Sequence, residues 1–330
     1  METQEVENGG EIIEEEPEVE EELLEEEQGE ISETEEQEEE SVEESEEELE
    51  AGAPQEGNGQ GEADKAQGQA ESQETEETEE KKPQIAIFKA TIDVKTLKYL
   101  VSAIHSVLNS DAVLQVTNDG IKLRQMDGTK TVMVDLYLNR MGFYDYDVEQ
   151  EGLLYLNLDD LEDVLDRAKR GSNVTLKVSD NKLNIIIEGG VIKRFTFPIQ
   201  EPEFSEISDL KLKFTAKVSI DPSDLASALQ DARLFSATVQ LEADNEKFVL
   251  SSASDQKDVT ITFTDPSIVD LNVESPTKAT YRLIEFEKFI DKVKQLFNRV
   301  DIEFGERVPL KVTGRMPDGQ IVFYLAPIAE

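Results

Sequence analysis

The sequence predicts an α+β fold of two topologically similar halves, each an array of antiparallel strands with two short helices. Three observations predict it. Ile92-Asp93-x-x-x-Leu97 opens a helical pattern, and Ile220-Asp221-x-x-x-Leu225 opens another 128 residues later. Val113-Leu-Gln-Val-Thr-Asn-Asp-Gly resembles Thr238-Val-Gln-Leu-Glu-Ala-Asp-Asn, and Leu161–Arg170 followed by Val174-Thr-Leu-Lys-Val matches Phe286–Leu296 followed by Val300-Asp-Ile-Glu-Phe, all at offsets between 125 and 128. A fixed offset held over several motifs is the mark of a duplicated unit. Between the copies, Arg194–Phe214 carries Pro198 and Pro202 and the acids Glu201, Glu203, Glu206 and Asp209, so it reads as an extended strap. Its Phe204, Ile207 and Leu210 recur every third residue and give it one apolar edge.

The charge divides the chain further. Residues 1–82 hold 36 acids against three bases, a net of −33, while residues 83–330 hold 39 acids against 29 bases, a net of −10. The first segment has no aromatic residue and is expected to be a disordered acidic tail, since it cannot bury enough apolar surface to offset its ordering entropy. The expected partition is a tail over 1–83, a first half over 84–196, a strap over 197–213 and a second half over 214–330.

Ile85–Ile92 alternates as a strand, and Asp93 stands as N-cap to a helix whose stripe is Leu97, Leu100, Val101, Ile104 and Leu108. Val113–Thr117 and Gly120–Gln125 are strands joined at Asn118-Asp119, a hairpin signal. Thr131–Asn139, Tyr144–Val148 and Leu153–Leu158 are further strands. Asp159–Arg170 reads as a helix, and Val174–Val178, Lys182–Glu188 and Val191–Phe197 as strands. The second half repeats the order. Phe214–Ile220 is a strand, and Asp221-Pro222 opens a helix burying Leu225, Ala228, Leu229 and Ala232. Thr238–Glu242, Lys247–Ser252, Val259–Thr264, Asp270–Ser275 and Ala279–Leu283 are strands, a helix covers Ile284–Phe297, and Val300–Phe304, Val308–Thr313 and Gln320–Leu325 close the chain.

Catalytic patterns are missing from the sequence. It has no P-loop, Gly-rich dinucleotide turn or serine elbow, no cysteine and one histidine, His105, read as a structural residue. No cofactor or metal is expected, since the pairs Asp159-Asp160 and Asp145-x-Asp147 read as a helix cap and a solvated loop. No apolar run approaches membrane-spanning length, so no membrane partner is expected and a soluble, intracellular protein is.

Val308-Pro-Leu-Lys-Val, Phe323-Tyr-Leu-Ala-Pro and Leu123-Arg-Gln-Met-Asp, set on the duplicated unit with its strap, resemble the DNA sliding clamps of archaea and eukaryotes, the proliferating cell nuclear antigen (PCNA) family. The resemblance covers about 84–330, and the acidic tail falls outside it. It implies the DNA clamp fold, two alike domains per chain, closing as a ring of three with sheets outside and helices inside. It further implies a non-enzymatic processivity factor that encircles double-stranded DNA without sequence preference. The implied partners are clamp subunits (a homotrimer, or a heterotrimer with paralogues), DNA polymerase, a clamp loader, flap endonuclease and DNA ligase, engaged through short clamp-binding peptides. The implied location is the nucleoid-associated cytoplasm for an archaeal chain and the nucleus for a eukaryotic one. An acidic adaptor or chaperone-like protein, in which the tail does the work, is the alternative of a different class.

On the helices, the DNA-facing candidates are Lys95, Lys98, Arg167, Lys169, Arg170, Arg233, Lys288, Lys292 and Arg299. Lys288, Lys292 and Arg299 lie opposite the apolar side of Phe286, Phe289 and Val293. Where related clamps carry bases, this chain offers His105, Asp163, Asp166, Ser227 and Gln230, so the hole is expected to be weakly positive. The resemblance places a client pocket at Met126, Met133, Ile207, Leu210, Pro309, Tyr324, Ala326 and Pro327, of which Met133 also reads as ordinary core. The expected subunit interface joins Val191, Ile192, Lys193, Arg194 and Phe195 on one edge to Val259, Ile261 and Phe263 on another, with Asp255 and Asp258 opposite the bases.

Overall fold

The computed structural model describes residues 84–201, 204–264 and 267–328. The acidic tail expected over 1–83 therefore lies outside the described residues. In the first half the order is β1 (Ile87–Asp93), α1 (Val94–Leu108), β2 (Asp111–Thr117), β3 (Gly120–Met126), β4 (Val132–Asn139), β5 (Asp145–Gln150), β6 (Gly152–Asn157), α2 (Leu158–Asp166), β7 (Asn173–Ser179), β8 (Lys182–Glu188) and β9 (Lys193–Pro198). The second half follows the same plan. It runs β10 (Ala216–Ile220), α3 (Pro222–Arg233), β11 (Thr238–Ala243), β12 (Phe248–Ala253), β13 (Asp258–Phe263), β14 (Ile268–Val273), β15 (Thr277–Arg282), α4 (Leu283–Val293), β16 (Val300–Phe304), β17 (Leu310–Met316) and β18 (Gly319–Leu325).

Helix starts follow the caps. The Asp93 carboxylate accepts the N–H groups of Lys95 at 3.2 Å and Thr96 at 2.7 Å. Asp221 accepts that of Ser223 at 2.7 Å with Pro222 in the first turn, where its missing donor costs nothing. Helix ends differ from expectation. α2 stops at Asp166, because the N–H groups of Arg167 and Ala168 bond the carbonyls three residues back and tighten the last turn. Arg167, Lys169 and Arg170 thus follow the helix rather than lie on it. Its cap is Asn157, which accepts the Asp160 N–H at 2.9 Å, so neither Asp159 nor Asp160 caps it. α4 stops at Val293, yet Phe297 stays buried because residue 314 is glycine. A Cβ there would stand 2.6 Å from the Phe297 ring.

Three sheets form. Their strand orders are β5-β1-β7-β8-β9, β14-β10-β16-β17-β18-β4-β3-β2-β6 and β13-β12-β11-β15. The halves do not keep separate sheets, because β18 pairs with β4 from Gly319↔Leu138 to Leu325↔Val132 and makes nine strands continuous. Each half leaves an open edge, and here two edges satisfy one another. The helices pack in the order α2, α1, α4, α3. Beneath them lies one apolar core that includes Leu100, Ile104, Val134, Leu161, Phe289, Ile290 and Phe323.

Candidate functional site

On the sheet face away from the helices, strand alternation brings Met126, Met133 and Tyr324 into one row across β3, β4 and β18. In the next row Arg124 Nε donates to Asp135 Oδ2 at 2.9 Å. The same guanidinium reaches over to the strap, donating to the Ile207 carbonyl at 3.4 Å and pairing with the Asp209 carboxylate. Farther along, the Lys311 ammonium of β17 lies 5.7 Å from the Phe214 ring centroid. The strap therefore passes from β3 to β17, across both β4 and β18. Burial first, and then the charge of Asp135, raise the Tyr324 phenol above its ordinary pKa against the pull of Arg124.

Under the strap is a hollow of about 420 Å³ whose lining includes Val113, Arg124, Met126, Phe204 and Ile207. Of the expected pocket residues, Met126 and Ile207 line it. Met133, between Met126 and Tyr324 in the same row, is only 4% exposed and outside that lining. Leu210 is 40% exposed and outside the lining. Tyr324 lies one strand beyond Met133, while its neighbour Phe323 turns inward and stacks on Phe289 at 4.6 Å. Pro309, Ala326 and Pro327 are half-buried at the chain end. That end is held where the Ala326 N–H donates to Thr131 O at 2.9 Å and Pro327 bridges Tyr281.

On the helix face, Lys95, Lys98 and Arg170 come together around a hollow of about 370 Å³ with Tyr99 and Gln295. Several bases are neutralised locally. Lys98 pairs with Asp166 at 2.8 Å, Arg233 with Glu287 at 3.2 Å and Lys294 with Asp291 at 2.6 Å. Lys95, Lys288 and Arg299 make no ion pair among the described residues. His105 ties α1 to α2, with Nδ1 2.6 Å from Glu162 and Nε2 3.1 Å from Asp159. Burial works to raise the Glu162 carboxyl, but hydrogen bonds from Ser102 and His105, helped by nearby Lys292, hold it below the usual carboxylate range.

Comparison with known proteins decides what this arrangement is. The family model for the proliferating cell nuclear antigen N-terminal domain matches residues 87–200. The DNA polymerase sliding clamp of Thermofilum pendens is 30% identical over 241 residues, covering 72% of this chain and 97% of that protein. That of Thermococcus onnurineus is 32% identical over 229 residues, covering 68% and 92%. The chain belongs to the PCNA family of DNA sliding clamps. The crystal structure of PCNA from Thermococcus kodakaraensis superposes with a TM-score of 0.70 at 26% identity, covering 73% of this chain and all of that one.

In this PCNA-family chain the two edges expected to join subunits are both terminal strands, β9 of the five-stranded sheet and β13 of the four-stranded one. β9 begins only at Lys193, so Val191 and Ile192 lie ahead of it, 68% and 67% exposed. Lys193 Nζ donates to the Arg167 carbonyl at 2.7 Å, which ties that edge to the end of α2. Phe263 ends the β13 edge with its side chain buried, the ring stacked on that of Phe248 with centroids 5.2 Å apart. The sequence reading missed Arg124 as the clasp of the strap. Its signal was strand alternation in Leu123-Arg-Gln-Met, which sends Arg124 and Met126 to one face, but nothing local announces a partner on the strap.

Proposed function

We propose that three copies of this chain close head to tail into a ring that encircles duplex DNA and tethers DNA polymerase to it. One observation carries the proposal. Inside the chain, a five-stranded half (β14-β10-β16-β17-β18) meets a four-stranded half (β4-β3-β2-β6) at the β18–β4 joint. The other two sheets are the same two halves unjoined, β5-β1-β7-β8-β9 and β13-β12-β11-β15. Joining β9 of one copy to β13 of the next rebuilds the nine-stranded order, and repetition of one joint closes a ring.

The duplication also supplies the register. By ladder equivalence Lys193 stands where Ile321 does, and Ile261 where Leu136 does. Since Ile321 opposes Leu136, Lys193 opposes Ile261 of the neighbour, Val191 opposes Phe263 and Arg194 opposes Thr260, diagonal to Asp258. This sets the two exposed aliphatics ahead of β9 against the neighbour's strand and puts Arg194 within diagonal reach of Asp258 on one face.

Arg194→Glu is expected to leave the chain monomeric, and Arg194→Glu with Asp258→Arg to restore a three-chain mass by light scattering. A double variant as monomeric as the single one refutes the register. In the ring, Lys95, Lys98, Arg170, Lys288, Lys292 and Arg299 contact phosphates without reading bases. The strap hollow with Tyr324 takes short peptides of client proteins, flap endonuclease, DNA ligase and a clamp loader among them. The chain then works as a scaffold without chemistry of its own, organised as clamp domains over 84–196 and 214–330 with the strap between them. Family membership disfavours the acidic-adaptor alternative.

A further inference from the structure

The two halves finish the same sheet edge in different ways. Asn157 stands before α2 as Arg282 does before α4, so Leu156 of β6 corresponds to Tyr281 of β15, and Tyr155 to Thr280. By the ladders of the last strands, Asn181 corresponds to Val308 and Ile199 to Pro327. In the second half the edge is closed by the chain itself. Pro327 bridges Tyr281, and the Ile328 N–H donates to Thr280 O at 2.9 Å. The fully buried Tyr281 donates its hydroxyl to Val308 O at 2.9 Å. In the first half Ile199 has the N–H that Pro327 lacks and gives it to Asn181 O at 3.2 Å, so the chain stays beside β8 and does not cross to β6. Leu156 also fills less space than Tyr281.

A hollow of about 90 Å³ is left between β6 and the end of β9, lined by Leu156, Leu161, Leu183, Ile185 and Phe197 among others. Beside it runs an open stretch of backbone. Leu153 turns its N–H and C=O outward, to Gln84 O at 2.8 Å and from the Ala86 N–H at 2.9 Å. Strand alternation turns those of Tyr155 the same way. The Val113 N–H opposite agrees, since it donates to Gln125 Oε1 at 3.1 Å on the β3 side instead of to β6. Among the described residues neither backbone group of Tyr155 has a partner. An apolar hollow beside unpaired edge groups is the layout for strand addition, in which main-chain bonds hold a peptide and the hollow selects a side chain. Apolar cavities of about 150 Å³ admit benzene, so this smaller one suits a branched aliphatic side chain.

We infer that β6 accepts an extended peptide of a partner protein, antiparallel at Tyr155, with Val, Leu or Ile against Leu156 and a free N–H on the next residue. The two positions copy Pro327 and Ile328, which the second half supplies from its own chain. This site is separate from the hollow under the strap, lined by Met126 and Ile207, and it is complete within one chain, so it does not depend on ring closure.

The test uses the full chain, isotope-labelled in the methyl groups of Ile, Leu and Val, and the capped peptide Leu-Ala-Val-Ile-Ala-Glu, which is the sequence of residues 325–330 with Val in place of Pro327. By NMR the peptide is expected to shift the methyl signals of Leu183 and Ile185 and to leave those of Ile207 in place. N-methylation of the peptide's isoleucine removes the donor and is expected to weaken binding about fivefold, the scale of one net hydrogen bond. Asp in place of the peptide's Val is expected to abolish binding. Leu156→Tyr, which fills the hollow as Tyr281 does, is expected to abolish the shifts in a folded chain. Should that variant not fold, the N-methylated and Asp peptides decide the matter on the native chain. Unshifted Leu183 and Ile185 signals at millimolar peptide overturn the inference, as does equal binding of the N-methylated peptide. Shifts confined to Ile207 place the peptide under the strap and overturn it too.

Discussion

Asp301 is 5% exposed, accepts a hydrogen bond from Ser219, pairs with Arg315 and has the Lys217 ammonium at 3.6 Å. Burial works to raise its carboxyl, but Ser219 and Arg315 outweigh burial and hold it below the ordinary value of 3.8. A group whose pKa is depressed by folding adds stability above its unfolded value and loses it as pH falls through the folded one. Asp301→Asn is therefore expected to cost about 2 kcal/mol near neutrality, the scale of a hydrogen bond to a charged group. Urea unfolding at pH 7 and at pH 3 should show the difference between native chain and variant shrinking in acid. An unchanged difference excludes the mechanism. Tyr324→Ala with Ile207→Ala is expected to weaken client peptides by on the order of 2 kcal/mol or more while the assembled mass is kept. Unchanged affinity by calorimetry places the pocket elsewhere. Single residues were partly legible in the sequence. Met126 was, because alternation in a hairpin strand decides its face. Met133 obeys the same alternation, but its burial depends on neighbours brought in by β18, about which the local sequence says nothing.

Elements were more legible than residues where a cap and a stripe agreed, as at Asp93 with Leu97–Leu108 and at Asp221-Pro222 with Leu225–Ala232. The end of α2 was not, because Ala168 continues the apolar face while the backbone has already tightened into three-residue turns. The open edges were legible as alternating strands. The β18–β4 joint was not, since its partners are remote in sequence and neither carries a local mark of the other. The β9 edge yields a test of its own. Ile192→Pro is expected to abolish assembly and leave the monomer's thermal unfolding unchanged, because the pairs of β9 with β8 begin only at Lys193. A three-chain mass for this variant refutes the joint. A chain that unfolds early shows instead that Ile192 supports the fold.

For the whole molecule, the net of −10 over residues 83–330 and the pairing of helix-face bases with their own acids argue against a grip on phosphate. Retention should then be topological. Rings loaded on closed circular DNA are expected to stay through a salt rise that strips ordinary basic binders, and to leave once the circle is cut. Equal loss from circular and linear DNA excludes encirclement. The strap bears on how such a ring comes apart. Where β18 meets β4, the strap is clasped by Arg124 on one flank and meets Lys311 on the other, so the seam is zipped by its ladder and buckled across the top. In the proposed joint of β9 against β13, a seam between copies would be zipped only, because each strap is spent on its own chain. Of the six seams in a three-chain ring, three hold twice and three hold once. A machine that prises such a ring open to admit a closed duplex is then expected to find it yielding between chains, with the hollow beneath each buckle undisturbed.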